Sequence, residues 1–253
     1  MAAILSHRVG YVDKPQLPLD RVAKLGITHL EIVMRPEHTA EDVLSIIQPH
    51  GLKIGTLSTA SPLGVDDYVE RFTASADLLQ ALGGLGHFTS VHAGETPLDV
   101  VCERMRAIGD IAAEREQFIA METHPDLCEN GSKAAQTLSA IAHPAVGMNF
   151  DTANVYYYNE NVDAVEEIKK VARWVRSVHV KDTTGGFKDA SFPNVGEGVV
   201  DYPGIMAALA AVDFAGPWTL ELEGIAGSAD SVDKMEANVA ACVAHLRKIG
   251  LIG

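Results

Sequence analysis

The sequence has few features of a membrane protein, a nucleic-acid-binding protein or a disulfide-bonded secreted protein. Its 253 residues include only three cysteines, Cys102, Cys128 and Cys242, which are far apart and odd in number, so no disulfide framework is expected. No run approaches the roughly 18 apolar residues of a membrane span, and the N-terminus lacks a basic leader. The 20 Lys and Arg against 34 Asp and Glu give a net charge of −14, which opposes binding to nucleic acid or anionic lipid. We therefore expect a cytoplasmic protein with neither partner.

Short apolar runs alternate with longer amphipathic segments along the whole chain. In the amphipathic segments apolar residues recur three and four positions apart, which predicts helices, and glycines such as Gly26, Gly51, Gly83 and Gly250 follow the last turn of several. No linker or low-complexity tract interrupts this alternation. The short runs predict eight strands: "ILSHRVGYV", "HLEIVMRP", "LKIGTLST", "HFTSVHAG", "FIAMETHP", "AVGMNFDT", "VRSVHVKD" and "PWTLELEG".

Eight strand–helix units of about 30 residues would fill the chain as they fill a (βα)8 barrel. A doubly wound open sheet is the structural alternative, but it would be expected to carry a GxGxxG loop after its first strand. The segment "VGYVDKPQLP" has none. The prediction is an α/β fold in which residues 1–253 form a single (βα)8 TIM barrel.

The last four predicted strands carry an acid or an imidazole at or near their ends. Side chains alternate between the two faces of a strand. This alternation turns one such residue of each strand toward the barrel interior: Glu122, Asp151, His179 and Glu221. Glu223 shares a face with Glu221, so alternation does not choose between them. Because active sites of TIM barrels lie at the C-terminal ends of the strands, the four side chains are expected to converge.

Three carboxylates cannot share a dry pocket without a compensating charge. A divalent cation would supply it. Three oxygen ligands and one imidazole nitrogen suit Mn²⁺, Mg²⁺ or Co²⁺ and are compatible with Zn²⁺; we favour one Mn²⁺ ion. Taken singly, an acid at a strand end is more often a solvated loop or turn residue, and a single histidine in a strand is usually structural. Their occurrence at the same place in four successive units favours the metal site.

The segments "METHPD", "NFDTAN", "VHVKD" and "LELEG", in this order, resemble the sugar isomerase/epimerase superfamily of xylose isomerase-like TIM barrels. That superfamily includes ketose 3-epimerases, inosose isomerases and dehydratases, and endonuclease IV. The resemblance implies that Glu122, Asp151, His179 and Glu221 are the metal ligands, and that Glu122 and Glu221 are also the catalytic acid and base. The implied activity is isomerisation or epimerisation of a sugar or keto-polyol by proton transfer through a metal-stabilised enediolate.

Other functions remain open at this point. The same enediolate can expel a β-hydroxyl group, so a lyase or dehydratase acting on a keto-inositol or keto-glycoside is the main alternative. A nuclease like endonuclease IV is less favoured because the chain lacks the basic track that a phosphate backbone requires. A non-catalytic sugar-binding barrel is less favoured because all four ligand positions are kept. Homo-oligomerisation is left open.

Six further residues are candidates for contacting a carbohydrate substrate. Asn154 stands where ketose 3-epimerases have a histidine, and Lys188 is the nearest substitute for their arginine, so a free ketohexose is not indicated. Structural roles explain several of the six nearly as well, and Lys181 could instead pair with Asp182. The candidates are His92, His124, Asn154, Lys181, Lys188 and, in the loop "FPNVGEGVVDY", Glu197. Glu31 and Arg35, which share the inner face of one strand, are predicted to form an internal ion pair.

Overall fold

The computed structural model describes residues 3–225 and 230–253, and within these ranges eight parallel strands form a closed barrel. Each strand pairs with its neighbours in chain order, and the first strand closes the barrel on the last through the pairs Ile4–Pro217 to His7–Leu220. The predicted (βα)8 barrel is confirmed. The strands are β1 (Ile4–Gly10), β2 (His29–Val33), β3 (Lys53–Ser58), β4 (Gly86–Thr89), β5 (Phe118–Glu122), β6 (Val146–Asp151), β7 (Val175–Val180) and β8 (Pro217–Leu220).

Helices connect consecutive strands and surround the barrel. The Thr39 side chain accepts the backbone N–H of Asp42 and opens α2 with a capping box, while Gly83 ends α3 with a φ of 66°. Both boundary signals follow from the sequence. Among the described residues the α-helices are α1 (Leu19–Lys24), α2 (Ala40–Ile47), α3 (Tyr68–Leu82), α4 (Leu98–Ala113), α5 (Gly131–Ile141), α6 (Asn154–Tyr158), α7 (Ala164–Val171), α8 (Tyr202–Ala210) and α9 (Val232–Lys248).

Short helical segments add to this pattern. Three-residue 3₁₀ turns follow α2 and α7, at Gln48–His50 and Ala172–Trp174. The short α6 directly follows β6, and periodicity does not predict it because five residues are too few to show an amphipathic repeat. In the parts of the chain that the structure describes, no helix combines the length and the apolar character needed to cross a membrane.

The two faces of the strands have different composition. Outward-facing Met121, Met148 and Phe150 are at most 1% exposed and belong to the apolar layer between strands and helices. The lumen is polar: the Ser177 hydroxyl donates to Asn149 Oδ1 at 2.6 Å. The outward-facing side chains therefore pack against the helices, and the inward-facing side chains form a polar lumen. The side chains at the strand ends lie at the barrel mouth.

Candidate metal centre

Four side chains from the ends of β5 to β8 meet at the C-terminal mouth of the barrel. One ligand atom from each of Glu122, Asp151, His179 and Glu221 lies within 4.8 Å of the others. All four residues are at least nine-tenths buried. The side chain of Glu223 is 62% exposed, so the structure brings Glu221 into the cluster and leaves Glu223 at its edge.

Three buried atoms face the centre of this cluster: Asp151 Oδ2, His179 Nδ1 and Glu221 Oε2. His179 Nδ1 lies 3.1 Å from Glu221 Oε2, so the ligand atoms of the cluster are in direct contact with one another. Acidic groups buried this close together need a compensating positive charge. Carboxylate oxygens with one imidazole nitrogen are a donor set that divalent cations bind. The residues present therefore fit a divalent metal ion.

The second oxygen of Asp151 is held by the backbone. Asp151 Oδ1 accepts the N–H groups of Ala153 and Asn154, both at 2.8 Å, in the turn between β6 and α6. Burial nevertheless raises the pKa of Asp151 above its usual value, against the opposing charge of Lys181. The turn thus fixes the carboxylate orientation and leaves Oδ2 directed at the cluster.

Two basic side chains stand beside the acids. Lys181 Nζ lies 2.8 Å from Glu221 Oε2 and 3.3 Å from Asp151 Oδ2. Arg8 Nη1 lies 2.5 Å from Glu221 Oε1. Burial alone would raise the pKa of Glu221, but the charges of His179, Lys181 and Arg8 hold it well below its ordinary value. Glu221 is therefore ionised at neutral pH.

Glu122 has different surroundings. Burial raises its pKa to about 7, against the opposing charge of His179. The Ser90 hydroxyl donates to Glu122 Oε2, and His124 Nε2 lies 3.6 Å from the same oxygen. The two cavity-facing glutamates thus differ in pKa, which is raised for Glu122 and lowered for Glu221.

A cavity of about 400 Å³ opens above the cluster. This volume is in the range of about 300–1,000 Å³ that is typical of small-molecule sites. One wall is aromatic, with Tyr157, Tyr158 and Phe192, and the Tyr158 hydroxyl lies 3.1 Å from His124 Nε2. The lining consists of Arg8, Glu122, His124, Asn154, Tyr157, Tyr158, Lys181, Ala190, Phe192, Glu221 and Glu223.

Three of the six predicted substrate-binding residues, His124, Asn154 and Lys181, lie in the cavity lining. Lys181 is only 4% exposed and belongs as much to the ligand cluster as to the cavity. The Asn154 side-chain NH₂ group donates a hydrogen bond to the Thr123 carbonyl oxygen at 3.3 Å.

The other three lie at the rim or beyond it. His92 is exposed, and its ring meets that of His124 edge-on at a centroid distance of 4.9 Å. Lys188 Nζ lies 4.8 Å and 4.5 Å from the ring centroids of Tyr157 and Tyr158. Glu197 is exposed and lies outside the cavity lining. Contact of these residues with substrate stays a prediction.

Sequence reasoning missed Glu31, Arg8 and Ser90 as members of the site. The expected Glu31–Arg35 ion pair is wrong, because β2 ends at Val33 and Arg35 leaves the barrel to place its Nε 3.0 Å from Asp13 Oδ1. Glu31 instead faces His179 and Arg8. The sequence shows that Glu31 is a charged residue on the inner face of a strand. It does not show that His179, on a distant strand, is its partner.

Comparisons with known proteins agree with this architecture. The sequence model of the xylose isomerase-like TIM barrel family matches residues 19–249. Comparison with curated protein sequences gives no significant match.

Solved structures of similar fold include enzymes and a metal complex. D-allulose 3-epimerase from Methylomonas sp. superposes with a TM-score of 0.75 at 16% identity, covering 98% of this chain and 100% of that chain. The probable 3-DHS dehydratase AsbF from Bacillus anthracis superposes with a TM-score of 0.69 at 17% identity, covering 93% of this chain and 98% of that chain. A xylose isomerase-like TIM barrel protein from Mycobacterium smegmatis in complex with magnesium superposes with a TM-score of 0.72 at 20% identity, covering 91% of this chain and 87% of that chain. At such identities the similarity shows the fold alone.

Proposed function

Because the chain belongs to the xylose isomerase-like TIM barrel family, we propose that it is a divalent-metal-dependent isomerase or epimerase acting on a sugar or keto-polyol. One observation carries the proposal: Glu122, Asp151, His179 and Glu221 place ligand atoms within 4.8 Å of one another, directly beneath a cavity of about 400 Å³. Family membership and the epimerase and dehydratase among the similar folds support an enzyme of this general kind.

The four clustered residues would hold the cation. A bound divalent ion would polarise a substrate carbonyl group and make the neighbouring C–H bond more acidic. We propose Mn²⁺, and the same donor set is compatible with Mg²⁺, Co²⁺ or Zn²⁺. Lys181, beside Glu221 Oε2, and Arg8, beside Oε1, keep Glu221 ionised and oriented.

Glu221 and Glu122 would move the proton. Ionised Glu221 can accept a proton from the carbon next to the carbonyl group. Glu122 would return a proton from the opposite side or to the adjacent carbon. Ser90, which donates to the Glu122 carboxylate, restricts its orientation.

The remaining cavity residues would bind the carbohydrate. His124, Asn154 and Lys181 offer polar groups to substrate hydroxyls, and the aromatic wall offers apolar surface to the C–H face of a sugar. We propose that His92 and Lys188 contact substrate at the rim, and that Glu197 does so through the loop between β7 and α8.

A lyase or dehydratase is the second candidate. The His124–Tyr158 pair lies beside Glu122, with the Tyr158 hydroxyl 3.1 Å from His124 Nε2, and could protonate a departing hydroxyl group of a keto-inositol or keto-glycoside. The product mass separates the two reactions, since isomerisation conserves the mass and dehydration removes one water.

The test is hydrogen exchange on a panel of ketoses, inososes and 3-keto-glucosides in D₂O with Mn²⁺. We expect one substrate class to exchange a C–H proton, and we expect chelation to stop the exchange. Replacing Glu122 by Gln should slow exchange by about 10²–10⁴-fold, the usual contribution of a general acid or base. Glu114→Gln, at the residue that follows α4 and with a side chain 75% exposed, is the control. Unchanged exchange in Glu122→Gln, or after chelation, would refute the mechanism.

A further inference from the structure

The imidazole of His179 is held by residues from strands elsewhere in the barrel. Its Nε2 lies 3.1 Å and 3.2 Å from the two carboxylate oxygens of Glu31 on β2, which reaches it across the lumen. Phe88 of β4 packs against the ring at a centroid distance of 4.6 Å. The other ring nitrogen, Nδ1, faces the ligand cluster 3.1 Å from Glu221 Oε2.

Glu31 is itself fixed in place. It is 1% exposed, Thr56 Oγ1 on β3 donates to its Oε2 at 2.7 Å, and Arg8 Nη1 lies 3.5 Å from its Oε1. The pairing of β2 with β3 shifts register between Leu30 and Glu31. Glu31 is thus a buried acceptor in contact with Thr56 of β3 and Arg8 of β1.

The chemistry of the pair selects one form of the histidine. An ionised carboxylate can only accept hydrogen bonds, so the bond from His179 to Glu31 requires a proton on Nε2. When His179 binds a cation its ring must be neutral, and Nδ1 then carries the lone pair that is directed at the cluster. A carboxylate behind a histidine is a common way to orient a metal ligand and raise its basicity.

We propose that Glu31 is a positioning residue for the metal centre, which orients His179 and keeps its Nδ1 available as the ligand atom. The inference rests on the proposed metal-dependent function, but it concerns metal binding and not the reaction. A purely structural Glu31, present only as the buried partner of Arg8, would leave metal affinity unchanged when replaced.

The first test measures Mn²⁺ affinity of the full chain by isothermal titration calorimetry, without substrate. Glu31→Ala should raise the dissociation constant by about 10–100-fold, as loss of an outer partner of a ligand does. Glu31→Gln retains a neutral acceptor oxygen and should fall between Ala and wild type. Glu167→Gln is the matched control, because Glu167 is also a buried acid, 8% exposed, with its partner Lys170 at 2.6 Å on α7; it should bind Mn²⁺ as wild type does.

The second test needs no variant. In ¹⁵N-labelled wild-type protein loaded with Mg²⁺, long-range ¹H–¹⁵N spectra should show His179 protonated at Nε2 only. Protonation at Nδ1 would overturn the inference, as would an unchanged dissociation constant in folded Glu31→Ala. If Glu31→Ala fails to fold, Glu31→Gln and the spectrum decide. Tight Mn²⁺ binding by a wild-type protein without exchange activity would defeat the proposed function alone, whereas absence of Mn²⁺ binding would defeat both.

Discussion

Single residues of the same type acquire different properties at the barrel mouth. Glu221 is surrounded by Arg8, Lys181 and His179, whereas Glu122 has the hydroxyl of Ser90 and the ring of His124. Burial lowers the pKa of His124 to about 4, so that ring is neutral at physiological pH and gives Glu122 no compensating charge. The surroundings of each glutamate in the cluster, and not its residue type, therefore determine its pKa.

This difference predicts that metal binding depends on pH. Burial raises the pKa of Glu122 to about 7, so below that pH the group is protonated and must lose its proton to bind a cation. The Mn²⁺ affinity should therefore fall as the pH falls through 7, by about tenfold per pH unit for each proton displaced. The pKa of His179, which Glu221 and Glu31 raise well above its ordinary value against burial, acts in the same direction.

Calorimetry at pH 6, 7 and 8 in two buffers of different ionisation enthalpy measures this effect. The buffer dependence of the enthalpy gives the number of protons released, which should be at least one at pH 6. An affinity that is constant from pH 6 to pH 8 would contradict the proposed state of Glu122.

Among the connecting elements, the loop between β7 and α8 is built around a buried carboxylate. Asp182 Oδ2 accepts the backbone N–H groups of Gly196 and Gly198 at 2.8 Å and 3.1 Å, and Oδ1 accepts that of Val200 at 3.2 Å. Because Asp182 accepts these backbone N–H groups, it does not pair with Lys181, which instead contacts Asp151 and Glu221. The same hydrogen bonds leave Glu197, between the two glycines, exposed to solvent.

The packing of this loop predicts that Gly198 cannot carry a side chain. A Cβ atom there would lie 2.2 Å from Asp182 Oδ1 and 2.3 Å from the Thr183 carbonyl oxygen. Replacing Gly198 by Ala should lower the free energy of unfolding by about 1–3 kcal/mol, the usual cost of overpacking. The neighbouring Glu197→Ala should stay within about 0.5 kcal/mol of wild type, as surface changes do. Urea unfolding in the presence of chelator compares them, and equal stability would mean that the loop can relax around the added methyl group.

The strands and most helices follow from local patterns, but several details of the elements do not. Alternation and helical spacing place eight strands, and capping residues such as Thr39 and Gly83 place helix ends. Periodicity cannot show where a strand stops, so it predicts Arg35 inside the barrel although β2 ends at Val33. It also cannot show the register shifts, such as that between Arg8 and Gly10 in the pairing of β1 with β2.

Across the whole molecule, the candidate site links the first strands of the barrel to the last. The four cluster residues come from β5 to β8, and each could be predicted because it lies at or near the end of its own strand. Arg8 on β1 and Glu31 on β2 reach the same cluster across the lumen, and His179 is 148 positions from Glu31. Such contacts depend on the diameter and closure of the barrel, which no local pattern encodes. Closure therefore determines both the fold and the electrostatics of the site.

A cation held by four strands should stabilise the entire barrel. In the unfolded chain these four residues are dispersed from position 122 to 221, so a cation would bind the native state preferentially. At a free Mn²⁺ concentration of 100 times the dissociation constant, such linkage contributes about 2.7 kcal/mol. For a chain of this size about 1 kcal/mol corresponds to about 2–4 °C, so the Tm should rise by about 5–10 °C and return on adding EDTA. Asp151→Asn, which removes one anionic ligand, should abolish the rise, whereas the surface variant Glu114→Gln should keep it. An equal rise in Asp151→Asn and wild type would show that Mn²⁺ stabilises the protein from a site other than this cluster.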